Sequence, residues 1–160
     1  MGMIFTRYDS PLGTMTLCSD GENLTAVTFD GQKYEETHIP ASAVPGSCPV
    51  LEETKMWLDG YFRGVQPRNN LPMELQGTVF QQQVWAALLR IPYGQTITYG
   101  ELAEKLGCKS AQAVGGAVGK NPISILIPCH RVTGAGGKLT GYAGGVEKKE
   151  YLLRLEKIID

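Results

Sequence analysis

The sequence predicts an α+β chain: a small antiparallel sheet and one helix in the first half, and helices in the second. Three observations carry this. Short extended patterns between residues 3 and 29 are separated by turn chemistry. From residue 78 onward the apolar spacing turns helical, opening on a Thr-x-x-Gln capping box. Two of the later helices are short and joined by a glycine-containing turn, the spacing of a helix-turn-helix unit.

The first strands are expected at 3–8 and 14–18, on either side of Asp9-Ser10-Pro11-Leu12-Gly13. A third, at 24–29, follows the turn Ser19-Asp20-Gly21-Glu22-Asn23. Residues 30–49 are polar and carry prolines at 40, 45 and 49, so a long loop is expected. A helix over 50–62 shows Leu51, Trp57, Leu58, Tyr61 and Phe62, and more weakly Met56, on a broad apolar face. An irregular connection at 64–70 leads into 71–75 and closes a first domain, placed at 1–75, with a second at 76–160.

In the second domain Thr78 and Gln81 have capping-box spacing, and Phe80, Val84, Ala87, Leu88 and Ile91 share a helical face that Pro92-Tyr93-Gly94 ends. An extended piece at 95–97 leads to Thr98, which caps a helix to about Leu106 with Glu101 at the reciprocal position. After the turn Gly107-Cys108-Lys109, Ser110 caps a helix over 111–118. That helix is small-sided, with Ala111, Ala113, Gly115, Gly116 and Ala117. Such a surface fits close packing on a neighbour as well as entry into a narrow groove. Asn121-Pro122 ends it, the apolar run 123–127 follows, and after a glycine-dense loop over 134–145 a last helix is expected at 147–159. Its apolar positions are Tyr151, Leu152, Leu155 and Ile158. Glu156 sits near its C-terminal end, where the helix dipole disfavours a carboxylate.

Composition narrows the class. In 160 residues, 42% hydrophobic and 19% charged content describe an ordinary globular chain, and no apolar run is long enough to span a bilayer. Residues 1–6 fit the loose myristoylation pattern, a short match read as chance. With no secretory signature at the N-terminus, a cytoplasmic setting with free thiols at Cys18, Cys48, Cys108 and Cys129 is expected. No cysteine or histidine grouping has zinc-site spacing, so neither metal nor cofactor is expected. Residues 1–77 carry five Lys/Arg against ten Asp/Glu, a net of −5, whereas residues 78–160 carry ten against six, a net of +4. A basic half suits a polyanionic partner, and a scatter of solvated charge accounts for it equally well.

Cys129 is the chemical focus. It ends an apolar run and is followed by His130 and Arg131. Neighbouring cationic or basic groups favour the thiolate, the nucleophilic form of cysteine. An inert buried cysteine followed by solvated residues fits the same pattern.

The segment from Asn121-Pro122 through Ile127-Pro128-Cys129-His130-Arg131-Val132, with Gly141-Tyr142-Ala143-Gly144-Gly145, resembles the active-site segment of the O6-alkylguanine-DNA alkyltransferase family. The resemblance extends to Phe80–Trp85, Thr98-Tyr99-Gly100-Glu101-Leu102-Ala103 and Lys149-Glu150-Tyr151-Leu152-Leu153, and more loosely to Ser10-Pro11-Leu12-Gly13. It implies a mixed α/β N-terminal domain and a helical C-terminal domain of winged-helix type. It also implies DNA repair by stoichiometric, irreversible alkyl transfer from O6-alkylguanine in flipped-out double-stranded DNA to the protein's own cysteine, with O4-alkylthymine a second candidate lesion.

By the same resemblance Cys129 is the alkyl acceptor, His130 a general base acting through water, and Glu156 the carboxylate that orients it. Asn121 links recognition helix and active-site loop, and Tyr99 displaces the target phosphate and can return a proton to guanine. Tyr142, Ala143, Gly144, Gly145 and Val132 line the base pocket, and Gln81, Gly100, Ala111, Gln112, Arg131 and Ala135 face DNA. A monomer is expected. The chain departs from the family at Gln112, where an arginine is usual, and it lacks full counterparts of zinc ligands known in some relatives. A lesion-recognition protein without chemistry, a transcription regulator and a thiol peptidase are weaker readings: Cys129 is present, the recognition helix has few base-reading side chains, and a histidine adjacent in sequence is not a peptidase arrangement.

Overall fold

A computed structural model describes residues 2–68 and 70–160 of the chain. Met1, which opens the lipidation pattern, and Asn69, within the expected connection at 64–70, lie outside the described residues. Two compact units emerge: Met1–Gln76 with Pro122–Ser124, and Gly77–Asn121 with Ile125–Asp160.

The first unit is built on a four-stranded sheet. Strands β1 (Ile4–Ser10) and β2 (Gly13–Ser19) form a hairpin, and β3 (Leu24–Phe29) pairs antiparallel with β2. Gly13 takes a φ of 110°, a region favouring glycine, so it allows the tight turn. The stretch expected as a loop contains two further elements, a one-turn helix α1 (Glu35–His38) and a two-residue strand β4 (Val44–Pro45). β4 lies parallel to β1, giving the order β3-β2-β1-β4 and a mixed sheet instead of the purely antiparallel one expected. Pro45 is tolerated because this is an edge: the amides of Val44 and Gly46 bond the carbonyls of Met3 and Phe5, and no amide is needed between them.

Helix α2 (Pro49–Phe62) opens with proline at its first position and packs on β1 and β2. Its buried face is Val50, Leu51, Thr54, Leu58 and Tyr61. Thr54 is accommodated because its hydroxyl donates to the Val50 carbonyl at 2.7 Å, whereas Met56 is exposed. Residues 122–124 add to this unit: the Val27 amide donates to Pro122 O and the Ser124 amide to Val27 O, both at 2.9 Å.

In the second unit, α3 (Val79–Leu88) and α4 (Tyr99–Lys105) each open on a complete capping box, Thr78 with Gln81 and Thr98 with Glu101. Helix α5 (Ala111–Gly119) is capped by Ser110 and packs against both. Trp85 is buried, outside the face counted from the sequence, because its indole N–H reaches the Ala117 carbonyl at 2.9 Å. The short strand β5 (Ile97–Thr98), which runs directly into α4, pairs in parallel with β6 (Val132–Thr133). That pairing sets the start of α4 beside the chain that follows Cys129. Helix α6 (Val146–Leu155) ends before the expected 159, with Glu156 as its C-cap and Lys157 at a φ of 62°.

Candidate active site

Cys129 is delivered by a turn. The run 123–127 is not a strand: Ile125, fully enclosed, takes a φ of 72°. A β-branched residue in that region costs on the order of 1–3 kcal/mol and persists only where its surroundings impose it. One such constraint is Asn121, whose side-chain amide donates to the Ile127 carbonyl at 2.7 Å and ties the two ends of the turn together. A single 3-10 turn, Cys129–Arg131, follows and enters β6.

Cys129 is almost wholly buried, at 6% exposure. Burial pushes its thiol above the ordinary range; a hydrogen bond from Asn121 and the ammonium of Lys149 offset part of that rise. Lys149 is itself fully buried, and its Nζ donates to the carbonyls of Val132, Thr140 (2.8 Å) and Gly141 (3.2 Å). Three carbonyls meet the three hydrogens of an ammonium. Burial still pushes Lys149 from its ordinary 10.5 to about 8, opposed by the Cys129 thiolate. The same ammonium stands 5.8 Å from the centre of the Tyr99 ring. Burial raises the Tyr99 phenol, a hydrogen bond with Thr140 lowers it, and charge on Cys129 raises it again.

Beyond Cys129, the Glu156 carboxylate gathers His130, Arg131 and Gly94. His130 Nε2 lies 2.6 Å from Oε2, Arg131 Nε donates to Oε1 at 2.8 Å, and the Gly94 amide donates to Oε1 at 3.1 Å. These donors answer the expected dipole conflict at the end of α6. Arg131 also donates from Nη1 to the Ile91 carbonyl at 2.8 Å and stands 5.6 Å over the Tyr93 ring. His130 is fully buried; burial lowers its basicity, Glu156 raises it, and Arg131 and Lys149 lower it.

Thus Cys129, Asn121, Tyr99, His130 and Glu156 fall within one unit, linked directly or through Lys149 and Arg131. Arg131 is a correction. Expected to face DNA, it is buried in the ion pair with Glu156, because a guanidinium with a carboxylate, a carbonyl and a ring in reach is better satisfied inside. Gly100, Ala111, Gln112 and Ala135 are exposed, while Gln81 is half-buried with its side-chain oxygen on the Thr78 amide.

Tyr142, Ala143 and Gly144 are half-buried ahead of α6. Val132 is wholly enclosed, and the atom it offers the site is its carbonyl. In α5, a side chain at Gly115 would meet the Tyr99 ring at 3.7 Å, so this part of the small-residue stripe is packing.

Lys149 was not singled out as a site residue from the sequence. It lay within a recognised segment, but a lysine is ordinarily assigned to solvent. Its signal is register: with Leu152, Leu153 and Glu156 it makes an i, i+3, i+4, i+7 set, which is the face of α6 that is buried. Tyr151, counted among the apolar positions of this helix, is exposed.

An open cleft of about 650 Å³, lined by Gln83, Arg90, Ile97, Glu101 and Lys105 among others, holds none of the Cys129 cluster. Among the described residues no group of three His, Cys, Asp or Glu is placed to hold a metal ion, and no helix is long and apolar enough to cross a membrane.

Residues 3–75 match the family model for the ribonuclease-like domain of 6-O-methylguanine DNA methyltransferase, and residues 79–158 match that for its DNA binding domain. Methylated-DNA--protein-cysteine methyltransferases from Haemophilus influenzae and Mycobacterium tuberculosis are 44% and 47% identical. Those matches cover 98% and 96% of this chain and 87% and 92% of the relatives. The crystal structure of Mycobacterium tuberculosis OGT in complex with DNA superposes with a TM-score of 0.88 at 44% identity, over 96% of this chain and 92% of that one. The chain belongs to the 6-O-methylguanine DNA methyltransferase family.

Proposed function

We propose that this protein repairs DNA directly, as a methylated-DNA–protein-cysteine methyltransferase that takes the O6-alkyl group of guanine onto Cys129. The observation that carries the reading is a buried sulfur whose thiol, raised by burial, meets two groups that favour its thiolate: Asn121 as hydrogen-bond partner and Lys149 as fixed cation.

The lesion lies inside the stack, so the nucleotide must be turned out of the duplex, at a cost of a few kcal/mol. Exposed Gln112, Ala111, Gly100 and Ala135 form the DNA-facing surface, with Gln81 at its margin. Tyr142, Ala143, Gly144 and Gly145 border the extruded base, and Tyr99 meets its phosphate. His130 takes the thiol proton through a water, with Glu156 holding the imidazole. The sulfur pair then forms the S–C bond while the C–O6 pair leaves with guanine, which gains a proton in place of the one lost by the thiol. The product is a thioether, neither basic nor a ready leaving group. The other thiol of this unit, Cys108, sits on the turn between α4 and α5 with its sulfur on the Ser110 carbonyl. Each molecule therefore acts once; we read it as a monomer working in the cytoplasm.

Titration with duplex containing O6-methylguanine tests this. Demethylation should stop at about one lesion per protein molecule. Sustained turnover would refute it.

A further inference from the structure

We propose that Arg131 is a positioning residue: with the Gly94 amide it occupies Oε1 of Glu156, which leaves Oε2 to the Nε2–H of a neutral imidazole and keeps the Nδ1 of His130 free of a proton. This deepens the assignment of His130 as base and rests on it.

Protons and charges in this buried cluster must balance. The Glu156 side chain is fully buried, at the end of a helix whose dipole opposes it. A buried carboxylate stays ionised only with a compensating charge. Two cations could supply it: Arg131 at 2.8 Å, or an imidazolium at 2.6 Å. Arg131 does so permanently, since a guanidinium does not lose its proton, and it is held by the Ile91 carbonyl and the Tyr93 ring. With Glu156 ionised, Oε2 can only accept, so Nε2 is the donor and the single proton of the neutral ring is spent there.

The other charged or titratable groups around the ring act in the same sense or are silent. Lys149, from α6, opposes an imidazolium, as does Arg131. The Tyr93 phenol is raised by burial and remains uncharged. Cys129 holds the proton to be moved.

Without Arg131 the cluster takes up one proton. Shared across the 2.6 Å contact, it resides on the imidazole or on Oε2 facing Nε2. In either arrangement Nδ1 bears hydrogen and no longer accepts. The base is then lost while its atoms stay in place.

Nitrogen-15 NMR of histidine-labelled full-length protein reads this directly, because the chain has only His38 and His130. In the wild type, His130 should show a protonated Nε2 and a bare Nδ1 at pH 7; a protonated Nδ1 there overturns the proposal without recourse to any variant. In Arg131→Met, Nδ1 should carry a proton at pH 7. The pH midpoint of methyl transfer should rise by at least about one unit, which is about a tenfold loss of rate below it. Arg131→Lys, which retains the cation, should restore both. A Met variant with Nδ1 bare and an unmoved profile overturns the proposal. One in which Nδ1 gains the proton while the rate holds upholds the action of Arg131 on the ring and removes His130 as the base.

Discussion

Replacing Lys149 by methionine separates what the lysine does for the fold from what it does for the sulfur. The side chain is fully buried, and its depression from 10.5 to about 8 corresponds to about 3 kcal/mol spent on keeping an ammonium inside. Methionine relieves that. Against the gain, the enclosed Val132 carbonyl loses its donor, at about 1–3 kcal/mol, while those of Thr140 and Gly141, at exposed positions, can turn to water. The two effects nearly offset, so the urea unfolding free energy should change by no more than about 2 kcal/mol in either direction. Chemistry should not be spared. A cation close to a thiol lowers it by about 1–3 pH units, so its removal should cut the thiolate fraction, and with it the rate on O6-methylguanine duplex, by about ten- to a thousand-fold. Stopped-flow transfer, ultraviolet titration of the thiolate and urea unfolding are the three measurements. A rate within about twofold of wild type with the Cys129 titration unmoved would refute the reasoning.

The same lysine predicts a pH dependence of stability. Unfolded, it binds a proton up to about 10.5, but folded only to about 8, so between these values the wild type should gain stability as pH rises, and the gain should vanish in Lys149→Met. Cys129→Ala should abolish methyl uptake and leave duplex affinity intact in a gel-shift assay. Gln112→Arg adds a cation at an exposed position of α5; binding should tighten and the slope of log affinity against log salt should steepen by about one, and unchanged binding would dismiss Gln112 as a DNA contact. Trp85→Phe orphans the Ala117 carbonyl and leaves a void, and should lower stability by about 2–4 kcal/mol in urea unfolding.

Strands β1 to β3 and the capping boxes at Thr78 and Thr98 were readable because their determinants are local: turn residues at fixed offsets and a hydroxyl three residues before Gln or Glu. Strand β4 was not, since two residues carry no alternation and Val44-Pro45 becomes a strand only by lying on the edge of β1. The turn at Ile125 was hidden for the opposite reason. Its sequence is apolar and β-branched, and the left-handed backbone is held by burial and by bonds to distant residues, the Asn121 side chain among them.

In the site, Cys129 and His130 lie in a recognisable segment, and Glu156 was assigned by the same family resemblance from a position beyond it. Lys149 and the true place of Arg131 were obscured by the rule that sends long cations to solvent. That rule fails where three carbonyls or a carboxylate await the charge, and such partners, being distant in sequence, cannot be counted along a helix.

The most direct test of the account is the intact mass of the protein after incubation with O6-methylguanine duplex, followed by peptide mapping. One added methyl per molecule, located on Cys129, is the predicted result. An unchanged mass, or a methyl that maps to another residue, would contradict it.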